Sequence, residues 1–137
     1  MALSEIAGRA LSLAINDPGT AIVIIGTLVR LFTQWSKARA ETHKQAPDYD
    51  RIAVPQINVR EMFDDAFTSL SRDGAAVVDL AVRLQKALHS LSVAGDSKMR
   101  DSAAYHGNLA LKRARNALDI SDDLDAVEEA AKLAKPR

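Results

Sequence analysis

Apolar residues recur every three or four positions along most of the chain, a spacing typical of amphipathic α-helices. The pattern predicts helices over Leu3–Asn16 and Pro18–His43, from Asn58 to about Arg72, from Gly74 onward, over Lys98–Leu118 and from Ser121 onward. We therefore predict an all-α fold, a single compact bundle of about six helices that occupies residues 1–137 as one domain.

The second predicted helix is the most apolar of the six. Its first half carries apolar side chains nearly all round, at Ile22–Ile25, Leu28, Val29, Leu31 and Phe32. Because an all-round apolar helix is typical of a buried position, we expect this helix at the centre of the core. Beyond Ser36 its side chains become polar, so its last turns are expected to project into solvent or toward a partner.

A dipeptide, Asp17-Pro18, separates the first two helices. The residue before a proline is disfavoured in the α region, whereas proline suits the first position of a helix. We expect the Asp17 carboxylate to accept the backbone N–H of Gly19 or Thr20 as an N-cap, so that the second helix starts at an angle to the first.

Three other helix starts also have candidate caps. Asn58 and Glu61 have the spacing of a capping box. Asp73 with Gly74 is expected to end the third helix and cap the fourth, and Ser121 to cap the sixth.

Residues 45–57 are the one stretch without a helical pattern. Pro47 and Pro55 bracket a short apolar run that favours extended backbone before the second proline. We expect an extended connection packed over the helices, and the alternative is pairing with the same segment of another subunit.

Composition supports the helical interpretation and excludes several kinds of chemistry. Alanine, the best helix former, occurs 24 times, against three Phe, two Tyr and one Trp. Without cysteine there are no disulfides, thiolate nucleophiles or Cys-ligated metals. Lys plus Arg balance Asp plus Glu at 18 each, so no overall positive field attracts nucleic acid or anionic lipid.

Membrane segments are not expected within the chain itself. The longest uncharged run, Pro18 to Val29, is shorter than the roughly 20 residues that cross a bilayer. The start of the chain also lacks the three parts of a signal peptide. These features predict a soluble domain.

No residue pattern indicates a catalytic, cofactor or metal site. The residues three and four positions before His43, His89 and His106 are not metal ligands, so no local pair shares a helix face. His106 is the most suggestive histidine because it lies beside the small-residue face of the fifth helix, and we expect it half-buried with one hydrogen bond. A hydrolase-like or ligand-binding site across helices, built from Asn16, Asp17, Thr20 and His106, remains the alternative.

Paired charges elsewhere indicate surface roles. Asp64 and Asp65 are neighbours that diverge on a helix, so they are interpreted as solvated charge. The basic run 112–115 is followed closely by acidic residues, a segregation that favours contact between subunits over binding of nucleic acid.

Residues 10–21 contain Asn16, Asp17, Pro18 and Thr20 in a run that resembles the signature of a bacterial family of predicted membrane proteins, domain of unknown function 2254. Val54-Pro55 and the later run 64–67 are similar to its downstream part. Where the family has proline this chain has Leu13, which implies a less interrupted first helix. The resemblance implies an excised soluble C-terminal domain whose membrane helices lie upstream, on an unspecified side of the membrane, with no implied activity.

The leading functional interpretation is an interaction or sensory domain. We expect it to form a homo-oligomer through helix faces that include Trp35 and the projecting end of the second helix. We expect contact with a membrane only through the upstream segments.

Overall fold

The computed structural model describes residues 2–12, 15–42 and 57–133, and this part of the chain forms six helices. They are α1 (Ala2–Ala10), α2 (Pro18–Thr42), α3 (Val59–Asp73), α4 (Val78–Ala94), α5 (Ser97–Ala117) and α6 (Ser121–Leu133). The predicted all-α fold is confirmed. The extended connection predicted over residues 45–57 lies outside the described residues except at its last position.

Helix α4 lies at the centre of the bundle. It packs against α2, α5 and α6, and its leucine stripe is buried, at Leu80, Leu84, Leu88 and Leu91. The prediction that α2 is the central helix was wrong. Helix α2 packs against α1 and α4 and places Phe32 against α3, all with one side, and it leaves Val23 69% and Leu31 48% exposed.

Aromatic rings fill the main core between α2 and α3. The ring of Phe32 lies edge-on to Phe63 at a centroid distance of 4.9 Å and contacts Phe67 at 5.7 Å. A second, smaller cluster of Ala81, Ala114 and Val127 holds α6 against α4 and α5. The bundle is therefore built from one large core and one satellite.

The first helix ends earlier than the apolar pattern predicted. It stops at Ala10 instead of Asn16, a difference well beyond the usual uncertainty in helix ends. The amide of Ser12 donates to the carbonyl of Arg9, and the amide of Asp17 donates to the carbonyl of Ala10 at 2.7 Å. The chain thus turns back and satisfies a carbonyl at the end of α1, which periodicity cannot foresee. Leu13 lies outside the described residues.

The predicted N-cap of α3, which is the Asn58 half of the capping box, is confirmed. Asn58 accepts the amides of Arg60 at 3.0 Å and Glu61 at 3.4 Å. Its side-chain amide also donates to the Glu61 carboxylate at 3.0 Å. This side-chain pairing supplements the two capped amides at the first turn of α3.

Two other predicted caps were wrong. Helix α4 begins after Val77, which makes no side-chain cap, while Asp73 ends α3 and pairs with Arg72. The hydroxyl of Ser121 contacts the Asp122 carboxylate at 3.4 Å, and Ser121 is already the first residue of α6. Neither Asp73 nor Ser121 therefore acts as the N-cap of the helix that follows it.

Among the described residues, no helix is both long and apolar enough to serve as a membrane span.

Candidate functional site

The turn between α1 and α2 is built around the carboxylate of Asp17. Its Oδ1 accepts the amide of Thr20 at 3.1 Å, and its Oδ2 accepts the Thr20 hydroxyl at 2.5 Å. These hydrogen bonds favour the ionised form, the hydroxyl most of all, and they lower the pKa of Asp17. Asp17 is therefore the predicted N-cap of α2, with Pro18 in the first helical position.

Asn16 gives this turn its shape. Its φ of 46° lies in the left-handed region, which asparagine tolerates better than most side chains. The Asn16 amide donates to the carbonyl of Ser12 at 2.8 Å, so its backbone is engaged locally. Asn16 and Asp17 are both exposed to solvent. The hydrogen bonds described for this turn are those of a helix start, and none of them brings in a second ionisable side chain that could act with Asp17.

His106 occupies a very different environment in α5. It is 1% exposed, so the expectation of a half-buried side chain was wrong. Its ring lies against Phe63 and Phe67 of α3 at centroid distances of 5.9 Å and 6.4 Å, and beside Tyr105 at 5.3 Å. His106 is buried more deeply than expected because α3 places two aromatic rings against it. The sequence of α5 alone shows only that the residues beside His106 are small.

A charged pair on α3 covers the histidine. Nε2 of His106 lies 3.0 Å from Oδ1 of Asp64, although the contact is poorly aligned for a hydrogen bond. Asp64 also lies 3.7 Å from Arg60, whose guanidinium stacks 3.3 Å from the ring centre of Tyr105. The sequence indicated that Asp64 is simply a solvated charge, but in the structure its carboxylate lies beside both Arg60 and the buried ring of His106.

Burial is the main cause of a lowered pKa at His106. Removal from water disfavours the charged imidazolium, and this effect exceeds the opposing attraction of Asp64. Arg60 and Arg113 lower the pKa further through charge repulsion. Covered by Phe63, Phe67 and Asp64, the ring has no open face from which to exchange a proton with a substrate.

The structure does not join the turn to the histidine. The polar contacts described for Asp17 are with Ala10, Gly19 and Thr20, while those of His106 are with α3 and α5. The alternative hydrolase-like site is therefore not favoured. Across residues 2–12, 15–42 and 57–133, no group of three or more His, Asp or Glu side chains converges as a metal site would.

Two basic residues near the end of α5 are engaged within the chain. Arg115 pairs with Glu128 of α6 at 2.8 Å. Arg113 donates to the carbonyl of Thr68 at 3.3 Å and to the hydroxyl of Ser71, both on α3. The charges that were expected to suit contact between subunits thus include two that tie α5 to its own neighbours.

Sequence reasoning missed the pairing of His106 with Asp64. The local signal on α3 was the (i, i+4) spacing of Arg60 and Asp64, which predicts a surface ion pair. Nothing in the sequence indicates that α5 places a histidine beneath that pair, because the contact depends on how the helices pack.

A family model described as a predicted membrane protein (DUF2254) matches residues 1–90. The match covers α1, α2, α3 and most of α4, and it includes the turn at Asp17 but not His106. No curated protein and no solved structure matches the chain.

Proposed function

Since the chain belongs to the DUF2254 family of predicted membrane proteins, we propose that it is a soluble helical interaction domain of such a protein and that it self-associates through α2. The exposed apolar side chains of α2 carry this proposal. Val23 is 69% and Leu31 48% exposed, on a helix whose opposite side is buried in the core.

The exposed residues lie on one side of the helix. Val23, Thr27 and Leu31 follow one another at intervals of four, so they form a row along the surface. The buried row lies opposite, at Ile24, Ile25, Leu28 and Phe32. An exposed valine and leucine in one row offer apolar area that a partner helix can remove from water.

The row is suited to pairing with a second copy of itself. In a two-fold symmetric dimer each patch meets the same patch of the partner. Thr27 is the midpoint between Val23 and Leu31, so an antiparallel pair centred there brings each valine opposite the other copy's leucine. The contact between valine and leucine then occurs twice in the dimer, once on each side of the two-fold axis.

The polar group at the centre of this row already has partners. The hydroxyl of Thr27 donates to the carbonyl of Val23 at 3.1 Å and accepts from Arg30 at 3.4 Å. Covering Thr27 therefore leaves no unsatisfied hydroxyl, which would otherwise oppose association.

Trp35 is less suited to a partner than its sequence position suggested. Its side chain is partly buried against the core, and Arg39 lies 5.4 Å from its ring centre. Arg39 in turn lies 3.4 Å from Asp96 at the start of α5. We therefore centre the proposed interface on Val23 and Leu31, with the exposed polar turns beyond Ser36 at its margin.

Sedimentation velocity of the full chain tests the proposal. From low to high micromolar concentration, the wild-type chain should shift from monomer to dimer, and Val23→Asp or Leu31→Asp should remain monomeric with unchanged helical circular dichroism. Val93→Asp is the matched control, because Val93 is 72% exposed on α4 and should leave the dimer intact.

Two results would contradict self-association through this row. One is a wild-type chain that stays monomeric at every concentration, and the other is a Val23→Asp variant that dimerises like Val93→Asp. A flotation assay with neutral phosphatidylcholine vesicles tests the aqueous location: the chain should stay with the soluble fraction, and co-flotation would overturn that part of the proposal.

A further inference from the structure

A groove of about 400 Å³ lies between α4, α5 and α6. Its lining includes no residue of α2 and neither His106 nor Asp17. Small-molecule sites in proteins have volumes of about 300–1,000 Å³, so the groove is large enough for a compact ligand. It is therefore a candidate site separate from the Asp17 turn, from His106 and from the exposed row of α2.

Small side chains on α5 create the space. Ala103, Ala104 and Gly107 line its α5 side, facing Leu88 of α4. The buried Gln85 of α4 donates from Nε2 to the carbonyl of Gly107 at 3.0 Å, which fixes the two helices at this point. The groove thus has a rigid, largely apolar floor.

The charges around this floor are mostly positive. Arg115 and Glu128 both line the groove and cancel each other in an ion pair at 2.8 Å. Arg100 also lines it, and no carboxylate of the described residues lies within 4.0 Å of its guanidinium. Lys132 also lies near an acidic residue, Glu129, but the two charged groups are 4.0 Å apart and both side chains are mostly exposed. This loose ion pair therefore compensates little of the charge of Lys132.

We propose that the groove binds a small anionic amphiphile. The apolar part of the ligand would cover Leu88 and Ala104, and its acidic group would lie near Arg100 and Lys132. A cation would be repelled by Arg100 and Lys132, whereas a neutral apolar ligand would make no use of their charge.

Two fluorescent probes that differ in one charged group test the proposal. Anilinonaphthalene sulfonate is anionic, and N-phenylnaphthylamine has the same ring system without the sulfonate. The wild-type chain should bind one equivalent of the sulfonate and bind the neutral probe more weakly. The double variant Arg100→Gln/Lys132→Gln should weaken sulfonate binding about fivefold to tenfold and leave binding of the neutral probe unchanged.

The chain offers a control with the same loss of charge. Arg83 and Lys86 are exposed on α4 and do not line the groove, so Arg83→Gln/Lys86→Gln should bind both probes like wild type. Ala104→Trp should reduce binding of both probes, since it fills the groove from its exposed edge.

Some outcomes would overturn the site. They are an equal loss in the two double variants, unchanged binding in Ala104→Trp, or a loss of probe binding in Val23→Asp, which would place the probe on α2.

Competition then separates two sources of the acidic group. Displacement of the sulfonate by octyl phosphate alone would indicate a soluble ligand, displacement also by phosphatidylglycerol vesicles would indicate a lipid, and displacement by neither would refute the proposal.

Discussion

At the scale of single residues, the buried imidazole of His106 links stability to pH. Its pKa is lowered from the ordinary value of 6.5, mainly by burial. Below that ordinary value the unfolded chain therefore binds a proton that the folded chain resists. The contribution of neutral His106 is fully present above pH 6.5 and is lost as the pH falls toward the lower folded pKa.

We expect the wild-type chain to lose more unfolding free energy between about pH 8 and about pH 5 than His106→Gln, which cannot titrate at this position. Urea unfolding at several pH values measures the difference. Asp64→Asn is the informative companion, because removing the attraction of Asp64 should lower the pKa of His106 further and extend the loss to lower pH. Equal acid sensitivity in wild type and His106→Gln would rule out this linkage.

The two parts of the candidate site differ in how far the sequence could predict them. The Asp17 cap depends on contacts within three residues, and local chemistry at Asp17-Pro18 predicted it. The contact of His106 with Asp64 joins α5 to α3, so it depends on which faces meet in the bundle. The depth of burial of His106 follows from the same packing and was underestimated for that reason.

At the scale of secondary structure, the start of α3 depends on Asn58. Asn58→Ala removes the acceptor for two backbone amides and should cost about 1 kcal/mol of unfolding free energy. Asn58→Gly should cost only a few tenths, because glycine is a tolerated N-cap. Urea unfolding measures both values, with Asn116→Ala, an exposed position on α5, as the control. An alanine variant as stable as wild type would show that this cap contributes little.

Two glycines should respond oppositely to alanine. Gly26 lies on the exposed side of α2, and a Cβ there would meet nothing within 4 Å. Gly26→Ala should therefore stabilise the chain by about 0.5–1 kcal/mol. A Cβ on Gly74 would lie 2.8 Å from the backbone carbonyl of Leu70 and would overlap Leu80, so Gly74→Ala should destabilise it.

Thermal and urea unfolding at low micromolar concentration would measure these glycine variants without a contribution from association. The opposite signs are the test, because the helix propensity of alanine acts at Gly26 within α2, whereas steric overlap acts at Gly74, the C-cap of α3. Stabilisation by both substitutions would mean that the turn after α3 adapts to a side chain. A loss of stability in Gly26→Ala would mean that its side of α2 is covered.

Helix existence was more predictable than helix boundaries. Periodicity identified all six helices of the described chain, because each must bury one apolar side. It placed the end of α1 too late, since Leu11 packs against the core from a turn and so continues the apolar pattern beyond the helix. Asp73 and Ser121 misled because a side chain that can cap a helix can equally bond to a neighbouring charged residue.

At the scale of the whole molecule, apolar content was a poor guide to position. Helix α2 has the longest apolar run yet lies at the side of the bundle, while α4, with apolar residues on one stripe, lies between α2, α5 and α6. A central helix is covered by neighbouring helices on several sides. Small residues can form the covered faces as well as large ones can, as the buried Ala81 and Ala87 of α4 show. The excess apolar surface of α2 is what the proposed self-association uses.

The division into a large core and a small satellite predicts uneven stability. In the described part of the chain, the cluster that holds α6 has three buried residues with four partly buried side chains packed against it, far fewer than the main core. Helix α6 should therefore open more readily than α3, whose aromatic rings belong to the main core. Val127 is 0% exposed, and Val127→Ala should weaken the docking of α6 by roughly 1–2 kcal/mol.

Native-state hydrogen exchange resolves this helix by helix. In Val127→Ala the amides of α6 should exchange roughly 5–30 times faster than in wild type, while those of α3 should be nearly unchanged. Val93→Ala, the same truncation at a valine 72% exposed, should leave both helices at wild-type rates. An equal acceleration in α3 and α6 would mean that the six helices open as one cooperative unit, because damage to the satellite cluster would then be felt throughout the main core.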